Sequence, residues 1–248
     1  MKYIKYFEFV ENDFEPIKSF YLKDELNPKV WDDNSMKTDI RQQLLEIAQD
    51  FYTTTELTTE IKDIVLTGSL ANYNWSENFS DYDVHILIDF SEVNSDIELV
   101  RNLVNSLKNI WNRQYDIFIE GYEVELYIQD VNELHRSSAI YSILEDKWNI
   151  KPYKIDFTPD EDEIREKAES IMISIDDLEN RVYKEKYETF IDDAKKVWKK
   201  IKKFRSEGLE SEDSEFSTGN LTFKFLRRNG YIGKLLNLRR LSYQNQFK

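Results

Sequence analysis

The chain contains no cysteine. Disulfides, thiolate metal sites and a cysteine nucleophile are thereby excluded. Histidine is almost as scarce: His85 and His135 are the only two in 248 residues, so a site built from several imidazoles is excluded too. No apolar run approaches the ~18–20 residues needed to span a bilayer. The opening residues 1–8 meet charge too early for a signal peptide. These absences predict a cytoplasmic protein with no membrane partner. No internal repeat or low-complexity segment stands out.

What is present is an apolar complement large enough for a core without cross-links: 40% hydrophobic and 14% aromatic residues. The length suits one large domain or two modest ones. Net charge is −14, unevenly spread. Residues 195–205 hold seven Lys or Arg and no acid, and residues 217–248 hold seven more and no acid. A long phosphate backbone would meet a repulsive field over most of the surface. A basic groove in the C-terminal third stays open as an RNA contact, beside the plainer reading of a solvated helix face.

Hydrophobic periodicity divides the chain. A helix is expected from Ser35, as its cap, to residue 52, with strands at 61–67 and 81–88 and a short helix at 70–73 between them. A further helix is expected at 97–111, with Val100, Leu103, Val104, Leu107 and Trp111 on one stripe. Alternation around Glu120-Gly121 predicts a hairpin of 115–119 and 124–129. This order predicts an α/β (α+β) fold, a small mixed sheet with helices packed on one side. Composition shifts near Pro152 and Pro159. Helices are expected at 160–183, 184–205, 220–228 and 232–243, with an exposed loop at 206–214. The expected domains are 1–155, a catalytic part with an N-terminal helical extension, and 156–248, a helical part.

The chemistry-bearing stretch runs from Gly68-Ser69 to Asp81-Tyr82-Asp83-Val84-His85. In a strand, residues two apart share a face, so Asp81 and Asp83 point one way and Tyr82, Val84, Ile86 and Ile88 the other. Two carboxylates converging at a strand end are suited to divalent ions, and Mg²⁺ takes oxygen ligands. The Gly68-Ser69 turn offers backbone N–H groups and a hydroxyl to a phosphate tail. A phosphate cradle beside paired Mg²⁺ ligands is the equipment of phosphoryl-type transfer.

The Gly-Ser pair, the gap and the Asp-apolar-Asp-apolar pattern resemble the nucleotidyltransferase superfamily that includes DNA polymerase β. A narrower resemblance, to predicted nucleotidyltransferases encoded by tailed bacteriophages, spans nearly the full length. It rests on Leu26-Asn27-Pro28-Lys29-Val30-Trp31, the 68–89 core, Val124-Glu125-Leu126-Tyr127, Ile140-Tyr141-Ser142 with Trp148 and Pro152, and Leu226-Arg227-Arg228-Asn229-Gly230-Tyr231-Ile232.

The resemblance implies a third acid on a later strand. Glu125 fills that place inside an apolar run, where an unpaired carboxylate is costly; Glu123 faces the same side and is its rival. It implies Mg²⁺ or Mn²⁺ held by Asp81, Asp83 and Glu125, with the nucleoside triphosphate bound at Gly68 and Ser69. The implied activity is transfer of a nucleoside monophosphate to an acceptor hydroxyl with release of pyrophosphate, in a host cytoplasm if the gene is a phage's. The acceptor stays open between a small molecule, a protein and an RNA 3′ end. Two other readings remain: a catalytically silent nucleotide-binding or host-interaction module, and an oligonucleotide or cyclic-dinucleotide synthase.

His85 shares the acid-bearing face and reads either as a substrate contact or as a hydrogen-bonded structural residue. Asp89 lies on that face beyond the site. Tyr73 and Trp75 read as base-stacking or packing aromatics. Arg101, Arg136, Lys147, Arg227 and Arg228 are candidate triphosphate ligands. Asn72 departs from the arginine or small residue common in relatives.

Overall fold

The computed structural model describes residues 16–133, 137–182, 184 and 187–246. The chain forms two compact units, residues 22–156 and residues 157–248 joined by those up to 21.

The first unit begins with a two-residue hairpin, β1 (Trp31–Asp32) and β2 (Ser35–Met36), followed by α1 (Thr38–Thr54). Then come β3 (Asp63–Thr67), β4 (Asp81–Ile88), the short α2 (Phe90–Val93) and α3 (Ile97–Gln114). It ends with β5 (Phe118–Ile119), β6 (Tyr122–Asp130), β7 (Ile140–Ser142) and β8 (Lys147–Ile150). The sheet order is β5-β6-β4-β3-β7-β8. Only β4 and β6 run parallel; the other pairs are antiparallel. This is the mixed α/β architecture expected, followed by helices.

The sheet is two-faced because its central strands alternate. Tyr82, Val84, Ile86 and Ile88 of β4 and Val124, Leu126 and Ile128 of β6 bury in one core with Ile40, Leu44, Ala48 and Phe51 of α1 and Val100 and Val104 of α3. Leu103, expected on the buried stripe of α3, is exposed. Asn112 of α3 exchanges two hydrogen bonds with the backbone of Leu126, 3.1 and 3.2 Å, satisfying the edge of β6 where β5 has ended. The opposite face carries Asp81, Asp83, His85, Glu125 and Tyr127.

The helix expected from Ser35 starts at Thr38, because Ser35 and Met36 pair with Asp32 and Trp31. The β7–β8 hairpin was not foreseen from periodicity. It extends the sheet past β3 and is locked by aromatic packing: Trp31 stacks on Trp148 at 4.7 Å and meets Tyr141 edge-on at 4.9 Å.

The second unit contains α4 (Glu161–Arg181), α5 (Tyr187–Glu210), α6 (Thr218–Arg228) and α7 (Tyr231–Gln246). Asp160 caps α4 by accepting from the Glu163 amide at 2.9 Å, and three acids fill its first turn, where the helix dipole favours negative charge. Its core holds Ile164, Ile171, Ile175, Phe190, Ile201, Leu226 and Leu235. Ile17 and Phe20 belong to that core too, so residues 16–21 pack with the helices rather than with the sheet. Helix α5 continues five residues past the expected stop, through a segment expected to be loop.

Candidate metal centre

Parallel pairing of β4 with β6 sets the site. The register places Asp81 opposite Glu123 and Asp83 opposite Glu125, so acids from two strands project from one face. Asp81, Asp83 and Glu125, each half-buried, offer one oxygen apiece within 4.8 Å of one another. Glu123 lies two residues nearer the strand start, opposite Asp81, and does not join this group. Three carboxylates gathered this closely repel one another unless a cation sits between them. Hard oxygen donors suit Mg²⁺ or Mn²⁺.

Antiparallel pairing with β3 places Thr67 opposite Asp83, so the next residue, Gly68, passes under the Asp83 carboxylate. Gly68 has φ +73°, and a Cβ there would lie 2.0 Å from Asp83 Oδ2. Both the backbone conformation and the close approach require glycine. Ser69 follows, its hydroxyl 2.7 Å from that of Ser80, which also accepts from the Ser76 amide at 2.8 Å. This ties the turn after β3 to the residue preceding Asp81.

Several residues that carry the sequence resemblance brace this turn. The Trp31 indole N–H donates to the Leu70 carbonyl at 2.7 Å. Asn27 donates to the Tyr122 hydroxyl at 2.7 Å, linking that segment to the start of β6. Asn72 is buried and donates to Ser138 Oγ at 2.7 Å. It anchors the turn to the segment leading into β7.

Tyr127, two residues beyond Glu125 on the same face, was not singled out from the sequence; the period of two was the signal available. Its hydroxyl donates to Glu125 Oε2. Burial, the Asp83 carboxylate and the bond to Glu125 hold this phenol far above the ordinary tyrosine range, so it stays protonated and remains a donor. The ring stacks on His85 with centroids 4.7 Å apart and planes at 12°, and Lys108 Nζ lies 4.4 Å from its centroid. His85 Nδ1 is 2.9 Å from Gln129 Oε1. His85 is thus a hydrogen-bonded, stacked support.

The remaining candidates are placed as follows. Asp89 caps α2, accepting from the Ser91 amide at 2.9 Å, and the Ser91 contacts hold its carboxyl below the usual range. Tyr73 and Trp75 pack against the sheet core, and the Trp75 indole donates to the Glu25 carbonyl at 2.9 Å. Arg101 pairs with Glu133 at 2.6 Å, and Lys147 pairs with Glu145. Arg227 and Arg228 lie on α6 of the helical unit. Arg136 and His135 fall outside the described residues.

No protein-family model matches the chain, and no curated protein matches it. Among the described residues, no helix is long and apolar enough to cross a membrane.

Proposed function

We propose that the protein is a Mg²⁺- or Mn²⁺-dependent nucleotidyltransferase, transferring a nucleoside monophosphate from a nucleoside triphosphate to an acceptor hydroxyl. The observation that carries this reading is the meeting of Asp81, Asp83 and Glu125 oxygens within 4.8 Å, beside a glycine turn. The resemblance to the DNA polymerase β-like superfamily, which rests on these same residues, agrees with it.

Asp81, Asp83 and Glu125 would hold the cations. When bound, these neutralise phosphate charge and make the acceptor hydroxyl more acidic. The reaction forms a bond from the acceptor oxygen to the α-phosphorus. It breaks the bond from that phosphorus to the oxygen bridging to the β-phosphate, and pyrophosphate leaves with the bonding pair. The acceptor proton passes to the Glu125 carboxylate. Tyr127 donates to Oε2 of Glu125, and Oε1 would take the proton. The Gly68-Ser69 backbone and the Ser69 hydroxyl receive the β- and γ-phosphates. The rigid sheet supplies positioning, and no covalent enzyme intermediate is required.

The test is incubation with each α-labelled nucleoside triphosphate and Mg²⁺ or Mn²⁺, against separate RNA, protein and metabolite fractions. Label should reach one acceptor class in a metal-dependent way. Asp83→Asn and Glu125→Gln should lower the rate at least ~100-fold while leaving the fold intact. Label incorporated without any acceptor fraction would identify an oligonucleotide synthase instead. Mg²⁺ with nucleotide at a hundred times its Kd should add about 2.7 kcal/mol to stability. Absence of both transfer and stabilisation refutes the proposal.

A further inference from the structure

Helices α5 and α6 cross at two glycines. A Cβ on Gly208 would lie 3.2 Å from the Gly219 Cα, and one on Gly219 would lie 2.4 Å from the Phe204 carbonyl oxygen. This close crossing sets Arg205 of α5 against the start of α6. Its Nε is 3.4 Å from Asn220 Oδ1, and its guanidinium carbon lies 4.2 Å from the Phe223 ring centroid. Along α6, Lys224 follows Asn220 by four residues, and Arg227 and Arg228 follow Lys224 by three and four, so all share one side of the helix. The Arg228 guanidinium is itself fixed, 4.7 Å over the Phe20 ring and donating to Ser19 Oγ.

Part of the basic face of α5 is neutralised within that helix. There Lys195, Lys196 and Lys203 pair with Asp192, Asp193 and Glu207. Among the described residues, no acid lies within ion-pair distance of Arg205, Lys224 or Arg227. Glu215, in the turn before α6, is the acid whose charge reaches Lys224. Burial pushes the half-buried Lys224 ammonium down to about 8, with Arg228, Arg227 and Arg205 adding to the shift against Glu215. Burial and Arg227 also lower Arg205. Fixed like charges of this kind gain most from an anion. They are strung along roughly 12 Å of helix axis, which matches a row of phosphates rather than a single one. The Phe223 and Phe20 rings are already covered by guanidinium groups, so these two are not open to bases, and the cations offer contacts to backbone phosphates.

We propose that Arg205, Lys224, Arg227 and Arg228 form a binding site for the phosphodiester backbone of a short single-stranded polynucleotide. Affinity does not depend on the transferase reading. Outside the basic runs 195–205 and 217–248 the chain is strongly acidic and repels phosphate.

The test is fluorescence polarisation of a labelled oligoribonucleotide at low salt with EDTA present, which keeps divalent cations from the carboxylate site. The wild-type chain should bind with a steep salt dependence. Arg227→Gln, at an exposed position, should weaken binding about tenfold for any sequence and flatten the salt slope by about one. Wild-type affinity should fall as pH rises through about 8, and Lys224→Met should be weaker and lose that pH dependence. Lys196→Gln, a paired lysine of α5, should bind as wild type. Asp83→Asn should also bind as wild type, so failure of the transferase proposal leaves this one standing. Absence of binding, an equal loss in Lys196→Gln, or displacement of the strand by a free nucleoside triphosphate at equal phosphate concentration would each overturn it.

Discussion

The sheet unit gathers three carboxylates, and the helical unit gathers four cations. In each unit like charges are held together by rigid elements that glycine allows to approach closely. Gly68 lets the Asp83 carboxylate lie over the backbone, and Gly208 and Gly219 let α5 press on α6. Neither arrangement favours the fold by itself, since like charges at short range cost stability. Under the two proposals each cluster is completed by a ligand of opposite charge: a divalent cation in one, a phosphate chain in the other. Polar neighbours then differ by need. The acids are steadied by a hydrogen-bond donor, Tyr127, and the cations by aromatic faces, Phe223 and Phe20.

Replacing the glycines breaks the comparison most sharply. In Gly68→Ala, φ +73° costs about 1–3 kcal/mol, and the new methyl needs the space of Asp83 Oδ2, 2.0 Å away. The fold can yield by swinging the carboxylate aside, which moves the loss onto the site. Nucleotidyl transfer should fall at least ~100-fold, and stabilisation by Mg²⁺ with nucleotide should vanish, while the metal-free chain still unfolds cooperatively. In Gly219→Ala the obstacle is the Phe204 backbone carbonyl at 2.4 Å, which has no rotamer to change. The helices must separate, at about 1–3 kcal/mol. Polynucleotide binding should weaken as Arg205 leaves α6, with transfer to a small-molecule acceptor, where one is accepted, unaltered. Denaturant titration alongside both binding assays separates the two outcomes.

Lys224 sharpens the comparison through pH. Its pKa in the folded chain, about 8, lies below the ordinary lysine value of 10.5. Between those values the unfolded chain binds more protons than the folded one, so stability rises with pH across that window. Below about 8 both states are protonated and the penalty is complete. Lys224→Met should therefore stabilise the chain by up to about 3 kcal/mol near pH 7, and the advantage should shrink as pH approaches 10. Denaturation midpoints of the two chains across this range check it. A constant difference would mean that packing, not charge, is responsible.

Much of the sheet could be read from sequence because its central strands alternate cleanly: β4 starts and ends where the apolar period of Tyr82, Val84, Ile86 and Ile88 places it. The meeting of Asp81 with Asp83 follows from that period alone; the resemblance implied a third acid on a later strand, but the parallel register with β6 that brings Glu125 in was not legible. Short strands were not legible. Three residues of β7 cannot display a period, and the hairpin depends on Trp31 and Trp148, far apart in sequence. Gly208 looks like a helix stop but is a close-packing residue in the last turns of α5, so the end of that helix was set by tertiary contact. Residues 16–21 carry little periodicity, and only the burial of Ile17 and Phe20 among the helices assigns them. Tyr127 was overlooked because an aromatic in an apolar strand reads as core. Its position two residues after Glu125 puts it on the other face.

The smallest effect is expected at Tyr127, and it asks whether the acids need their donor as the cations need their rings. Tyr127→Phe keeps the stack on His85 and the packing under Lys108 but removes the bond to Glu125 Oε2. Glu125 is then free to rotate, and a group that orients a metal ligand typically contributes about tenfold or more in metal affinity. The Mg²⁺ concentration for half-maximal transfer should rise about tenfold, with the rate at saturating metal nearly restored. Tyr127→Leu, which also loses the stack, should lower thermal stability as well. If Tyr127→Phe leaves the metal midpoint unchanged, Glu125 is positioned by the strand register alone, and Tyr127 serves the packing of the open face.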